Sequence, residues 1–220
     1  MRARAAADDE APCSASRPRG LQAATLATVE TDEAACLTFG DADFNHLFYR
    51  GEIRGAPSLP LEIAAEGSAL RLTPSGDAPI PGSIIRIRRS THEVAVIEAP
   101  PPGTPVALPP PYQPSQVGAD ALAASLRAAG LTDAEVLAFR RAWDETLFGT
   151  QVATAAGEAM PTTVAIGGLL MPPSDDAVLY VLPRETADAL APLTFTPEPR
   201  VVRRAIVAWI DATRGTPNRP

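Results

Sequence analysis

The chain has 220 residues, 45% of them hydrophobic, and a formal net charge of −7. That length and apolar content suit a folded protein of one large domain or two small ones, and no apolar run reaches the roughly 18 residues a bilayer span needs. The acidic balance argues against a general nucleic-acid binder, which needs a basic face to displace counterions, and against adhesion to anionic membranes. All 19 basic residues are arginine. Together with abundant alanine and proline this reads as a GC-rich codon bias rather than a functional signal. The absence of lysine excludes Schiff-base chemistry on a lysine side chain.

Residues 1–20, "MRARAAADDEAPCSASRPRG", read as a flexible tail. They hold no apolar core of a signal peptide, although "ARA" followed by acidic residues resembles the remains of a cleavage site. Cys13 and Cys36 fit no zinc or Cys-x-x-Cys pattern. They are two free thiols or, in an exported protein, one disulfide.

Residues 21–99 form a β-rich unit. "LEIAA", "ALRLT", "SIIRIRRS" and "EVAVIEA" are short alternating runs between Gly/Pro turns, the pattern of an antiparallel sheet or sandwich. In "SIIRIRRS", Ile85 and Ile87 share one face and Arg86 and Arg88 the other. A half-buried strand is the plain expectation, and a phosphate-binding arginine row the sharper alternative.

The densest chemistry lies at "DADFNHLFYRG", residues 41–51. Asp41, Asp43 and His46 could ligate a metal through oxygen and imidazole, or Asp43 could orient His46 as a base. The competing expectation is a turn at Asp41 and Asp43, followed by a core strand carrying Phe44, Leu47, Phe48 and Tyr49 up to Gly51. Its aromatic density favours that second reading. Arg50 could pair with Glu52 or Glu62 for at most about 1 kcal/mol at a surface.

Residues 100–117 read as a proline-rich linker, since "APPPGTPVALPPPYQPSQ" carries eight prolines over 99–116. A ligand for a proline-recognising domain is the alternative. Residues 118–214 then form an α+β unit. "GADALAASLRAAG" places Leu122 and Leu126 on one helical face, with Gly130 as its stop. "LTDAEVLAFRRAWDETLFG" opens on a Thr132–Glu135 capping box, with acids in its first turn, and sets Val136, Phe139, Trp143 and Leu147 on one stripe before Gly149. The short link makes these two helices a hairpin. Residues 150–176 are small and irregular, "AVLYVLP" is a buried strand, and "RETADALAPL" a short helix. "RVVRRAIVAWIDATRG" suits a helix or a strand equally. The fold class expected is therefore α+β: an antiparallel sheet or sandwich, a helical hairpin, and a small α+β C-terminal unit.

The ordered set "FNHLFYRG", "LPLEI", "GLTDAEVLAFRRAWDETLF", "VLYVLPRETADALAPLTFTPEP" and "VVRRAIVAWID" resembles, in patches from Asp43 to Asp211, the C-terminal half of a family of uncharacterised exported bacterial proteins. Longer members carry an N-terminal His-Glu-Trp-Gly-Thr-Phe stretch that this chain lacks, and this chain has an extra insert at 150–176. The resemblance implies export and tilts the last segment towards a strand. It implies no activity and no catalytic residues.

The catalytic inventory is otherwise thin. Cys36 with His46 or His92 has no local nucleophile signature, and there is no G-x-S-x-G elbow, P-loop or G-x-G-x-x-G. Paired carboxylates for glycoside cleavage remain open among 26 acids. The expectation is a non-catalytic binding or structural module of the periplasm or cell envelope, with an unidentified protein or polymer partner and no cofactor. A carboxylate-dependent hydrolase, acting on a glycan, and a cytoplasmic location are the alternatives.

Overall fold

A computed structural model describes residues 58–149, 174–194 and 202–213, together with the backbone of three short strands near the N-terminus. Those strands, β1 (Arg4–Ala5), β2 (Leu37–Phe39) and β3 (Ala42–Phe44), form a small antiparallel sheet in the order β1-β2-β3. The expected tail at 1–20 and the expected turn-and-core segment at 41–51 otherwise lie outside the described residues, as does the small-residue stretch 150–173.

The class is α+β, built on antiparallel sheets. Strands β4 (Leu61–Glu66), β5 (Ala69–Pro74) and β8 (Val106–Leu108) make one three-stranded sheet. Strands β6 (Ser83–Arg88), β7 (Glu93–Glu98), β9 (Gln113–Pro114), β10 (Asp176–Val181) and β11 (Val207–Asp211) make a five-stranded sheet in the order β11-β10-β6-β7-β9. Helices α1 (Ser115–Ala128) and α2 (Asp133–Phe148) form the hairpin, and α3 (Arg184–Leu190) follows β10.

The five-stranded sheet is the middle layer. One face packs Ile84, Val178, Tyr180, Ala208 and Ile210 against Leu61, Ile63, Leu70, Leu72 and Leu108 of the smaller sheet. The other packs Ile85, Ile87, Val94, Leu179 and Val181 against Leu122, Leu126, Val136 and Phe148 of the hairpin. Strands covered on both faces must be apolar on both sides, which is why "AVLYV" of β10 is a continuous buried run.

The expected division at a proline-rich linker is not how the sheets are divided. The middle sheet pairs β6 with β10 directly, Ile85 opposite Leu179 and Ile87 opposite Ala177, so it joins segments from both sides of residues 100–117. That stretch itself supplies β8, β9 and the start of α1. Its prolines are tolerated because β8 and β9 are outer strands of their sheets, where one row of backbone donors has no ladder partner to lose. The terminal segment resolves as a strand: β11 pairs antiparallel along β10 from Val207↔Val181 to Asp211↔Ala177.

The hairpin forms as its sequence directs. The Thr132 hydroxyl accepts from the Glu135 N–H and the Glu135 carboxylate accepts from the Thr132 N–H, a complete capping box. Gly149 ends α2 in the left-handed conformation, φ 67°. Phe139 and Trp143 are half-buried on the packed stripe, with ring centroids 6.4 Å apart. Close approach of α1 to the sheet depends on Gly118, where a Cβ would lie 2.9 Å from Val94 Cγ1 and 3.0 Å from Phe148 Cε1. At its far end the Ser125 hydroxyl accepts from the Ser83 N–H (2.9 Å) and donates to the Ala121 carbonyl (2.9 Å), tying helix to strand.

Candidate functional site

Of the trio expected to carry chemistry, Asp43 is placed on β3 opposite Thr38 of β2, while Asp41 and His46 lie outside the described residues. Cys13, Cys36, Arg50 and Glu52 also lie outside them. The other histidine, His92, sits in the β6–β7 turn with φ 53°, a left-handed conformation. Its ring packs over Gly149, whose absent side chain leaves the space: a Cβ there would stand 2.6 Å from the imidazole. Its carbonyl accepts from the Ser115 N–H at 2.9 Å, anchoring the start of α1.

The strongest concentrations of buried charge lie elsewhere. On β6 the alternation of "IIRIR" is as expected, with Ile85 and Ile87 towards the hairpin. The opposite face is not solvated, however, because the three-stranded sheet covers it, and Arg86 is only 6% exposed. A buried guanidinium is tolerated only with its donors satisfied. Arg86 Nε donates to Asp176 Oδ1 (2.9 Å), Nη2 to Asp176 Oδ2 (2.7 Å), and Nη1 to the Ser68 carbonyl (2.9 Å). The bidentate fork joins β6 to β10, and the third bond reaches the β4–β5 turn of the other sheet. Arg88, at the strand end, comes within 3.9 Å of the same carboxylate. This corrects the half-buried strand: the arginine row is a clamp between layers, committed to a carboxylate rather than open to a phosphate.

A second assembly spans the hairpin. Asp144 on α2 is 2% exposed. Its Oδ2 accepts from Arg140 Nε (2.8 Å), and Arg140 Nη1 donates to Asp120 Oδ1 on α1 (2.9 Å), which also accepts from Gln116 (2.9 Å). Burial pushes the Asp144 carboxyl above its ordinary value, and Asp120's charge adds to that; the Arg140 hydrogen bond and charge oppose but do not cancel it. Burial tends to lower Arg140, yet Asp144 and Asp120 hold it above its usual value. A raised carboxyl pKa is the property a general acid needs. Here it belongs to a side chain closed between two helices.

The third assembly caps α3. Arg204 donates to the Ala187 carbonyl (2.6 Å) and to the Ala191 carbonyl, and pairs with Asp188 (2.7 Å). A cation at a helix C-terminus complements the exposed carbonyl dipoles. In the core between the sheets, the hydroxyl of fully buried Tyr180 has no hydrogen-bond partner among the described residues, and desolvation raises its pKa.

Among the described residues no three His, Cys, Asp or Glu side chains gather as metal ligands, and no helix is long and apolar enough to cross a membrane. Sequence reasoning placed none of the three arginine assemblies. Arg140 and Asp144 did carry a signal, an i,i+4 pair on one helix. Arg86 and Asp176 are 90 positions apart, and only the β6–β10 pairing unites them. No family model, curated protein or solved structure matches the chain.

Proposed function

We propose that the chain is a non-catalytic binding or structural module of the bacterial cell envelope, exported to work there, whose partner is a protein or a polymer. The observation that carries this reading is the use made of its most deeply buried charges. Arg86 gives all three of its guanidinium nitrogens to Asp176 and Ser68, so this charge holds strands and layers in register. Asp144, whose carboxyl burial holds above its ordinary value, is joined to Arg140 inside the hairpin. Groups so placed make a stiff scaffold with a net negative surface rather than a reacting centre. The resemblance to exported proteins, carried by the ordered motifs from Asp43 to Asp211, is what supports an envelope location.

The alternative, a carboxylate-dependent hydrolase acting on a glycan, draws on Asp120 and Asp144, two carboxylates held by the same arginine. Catalysis by that pair requires the hairpin to open, because Asp144 is 2% exposed.

Two experiments test the proposal. Fractionation of cells expressing the tagged chain from its own locus should recover it with the periplasm or envelope; recovery in the cytoplasm overturns export. Incubation of the purified chain with isolated envelope polymer should leave the polymer's length unchanged; shortening that requires Asp120 and Asp144 favours the hydrolase.

A further inference from the structure

The seam of the helical hairpin holds two carboxylates for one guanidinium. Arg140 Nε donates to Asp144 Oδ2 (2.8 Å) on its own helix, and Nη1 donates to Asp120 Oδ1 (2.9 Å) across on α1. With both acids ionised the triad carries one negative charge in excess. The Asp120 side chain is more than half exposed and its charge meets water, so the excess bears on Asp144, which is 2% exposed. A buried carboxylate whose counter-ion is shared with a second acid is more readily neutralised than kept charged.

Among the described residues, Arg140 and Asp120 are the charged groups that act on Asp144. Arg141, on the preceding turn of α2, is exposed, and Glu145 is a further acid. Gln116 of α1 is neutral and donates to Asp120 (2.9 Å). The middle sheet faces the hairpin with the apolar side chains of Ile85, Ile87, Val94, Leu179 and Val181, and His92 packs beyond the end of α2, over Gly149. The backbone of α1 runs close over β6, β7 and β10, and that of α2 runs close to α1, so α2 is the outer helix of the pair. Charge left unbalanced in the seam therefore acts on the contact that holds α2, and opening one outer element costs less than unfolding the whole.

We propose that the Asp120–Arg140–Asp144 triad is a proton-operated latch: on acidification Asp144 takes up one proton and closes α2 onto α1, and loss of that proton loosens α2 while the sheets stay formed. The latch stands apart from the functional proposal. A neutral Asp144 carboxyl still accepts from Arg140 Nε through its carbonyl oxygen. Arg140 is then left with one carboxylate, Asp120, and the seam becomes electrically neutral. The sign agrees with the environment of Asp144, where burial, joined by the charge of Asp120, holds the carboxyl above its ordinary value against the Arg140 hydrogen bond and charge. A group raised in this way contributes stability at low pH, and that contribution is lost as pH rises through the folded value.

Backbone amide exchange of the full chain, corrected for the intrinsic pH dependence of exchange, tests the latch. Asp144→Asn is the reference, because asparagine keeps an acceptor for Arg140 and cannot take up the proton. The protection of α2 amides in wild type, divided by that in Asp144→Asn at the same pH, should fall several-fold between pH 5 and pH 8. Asp120→Asn leaves one carboxylate for one guanidinium and should shrink the fall seen in wild type, since it removes a charge that holds the Asp144 proton on. That residue is at the surface, so this arm does not depend on a core substitution folding. Amides of β6 and β10 should stay better protected than those of α2 throughout. A ratio that does not fall, a fall undiminished in Asp120→Asn, or α2 amides that exchange no faster than those of β10 would each overturn the proposal.

Discussion

Removing the Asp176 carboxylate, as Asp176→Ala, strands the Arg86 guanidinium. That group is 6% exposed and would keep only the Ser68 carbonyl of its present partners. Breaking a buried pair from one side typically costs about 3–5 kcal/mol, because the remaining charge is neither paired nor hydrated. Against a total stability of about 5–15 kcal/mol, that is about a fifth or more of what holds a typical domain folded. At about 2–4 °C per kcal/mol for a chain of this size, the melting temperature should fall by roughly 10 °C. The reverse truncation, Arg86→Met, should cost less. Asp176's side chain is 15% exposed, keeps Arg88 within 3.9 Å and can be reached by water, while methionine fills the vacated slot between sheets. The double variant should recover much of the loss in Asp176→Ala, since an apolar replacement leaves no buried charge behind. Urea unfolding followed by tryptophan fluorescence gives all three values. Asp176→Ala within about 1 kcal/mol of wild type, or a double variant as unstable as the sum of the singles, would refute the clamp.

Three other outcomes follow from the same packing. The Asp144 carboxyl, raised mainly by desolvation, binds its proton more tightly in the folded chain than in the unfolded one, so its ionisation opposes folding. Its unfavourable contribution is absent below the unfolded carboxyl value and grows as pH rises through the folded one; wild type should therefore lose stability relative to Asp144→Asn between pH 3.5 and 7, and a relative gain in urea midpoints would reverse the assignment. Tyr180→Phe removes a buried hydroxyl that has no partner among the described residues and should be neutral or stabilising by about 1 kcal/mol, whereas a comparable loss would reveal a bond to that hydroxyl. Gly118→Ala should destabilise by about 1–3 kcal/mol in thermal melts, although alanine is the better helix former, because its Cβ would lie within 3.2 Å of Val94, Phe148 and Ile85; a stabilised variant would mean that α1 can lift from the sheet.

What the sequence disclosed was whatever its local chemistry governs. The capping box at Thr132 and Glu135, the left-handed stop at Gly149 and the alternation in β4 and β5 are decided within a few residues, and each is found in the structure. The antiparallel α+β class follows from the same signals. Long-range pairing was not legible. β6 reads as half-solvated in isolation, and only the second sheet laid across it buries Arg86. The proline-rich stretch reads as a connector because proline content alone does not distinguish a free segment from an edge strand, which β8 and β9 are. "VAWID" suited two periods, and its five-residue pairing with β10 decided for the strand. The i,i+4 spacing of Arg140 and Asp144 carries a helix-face pairing signal, but the depth of Asp144 depends on α1 packing over it.

The central proposal, that the buried carboxylates of this chain are joined to arginines within the fold and do not turn over substrate, is tested most directly by following reducing-end release from purified peptidoglycan across pH 4–8. Wild type, Asp144→Asn and a heat-denatured control should be indistinguishable. Release by wild type that vanishes in a folded Asp144→Asn chain would contradict the account.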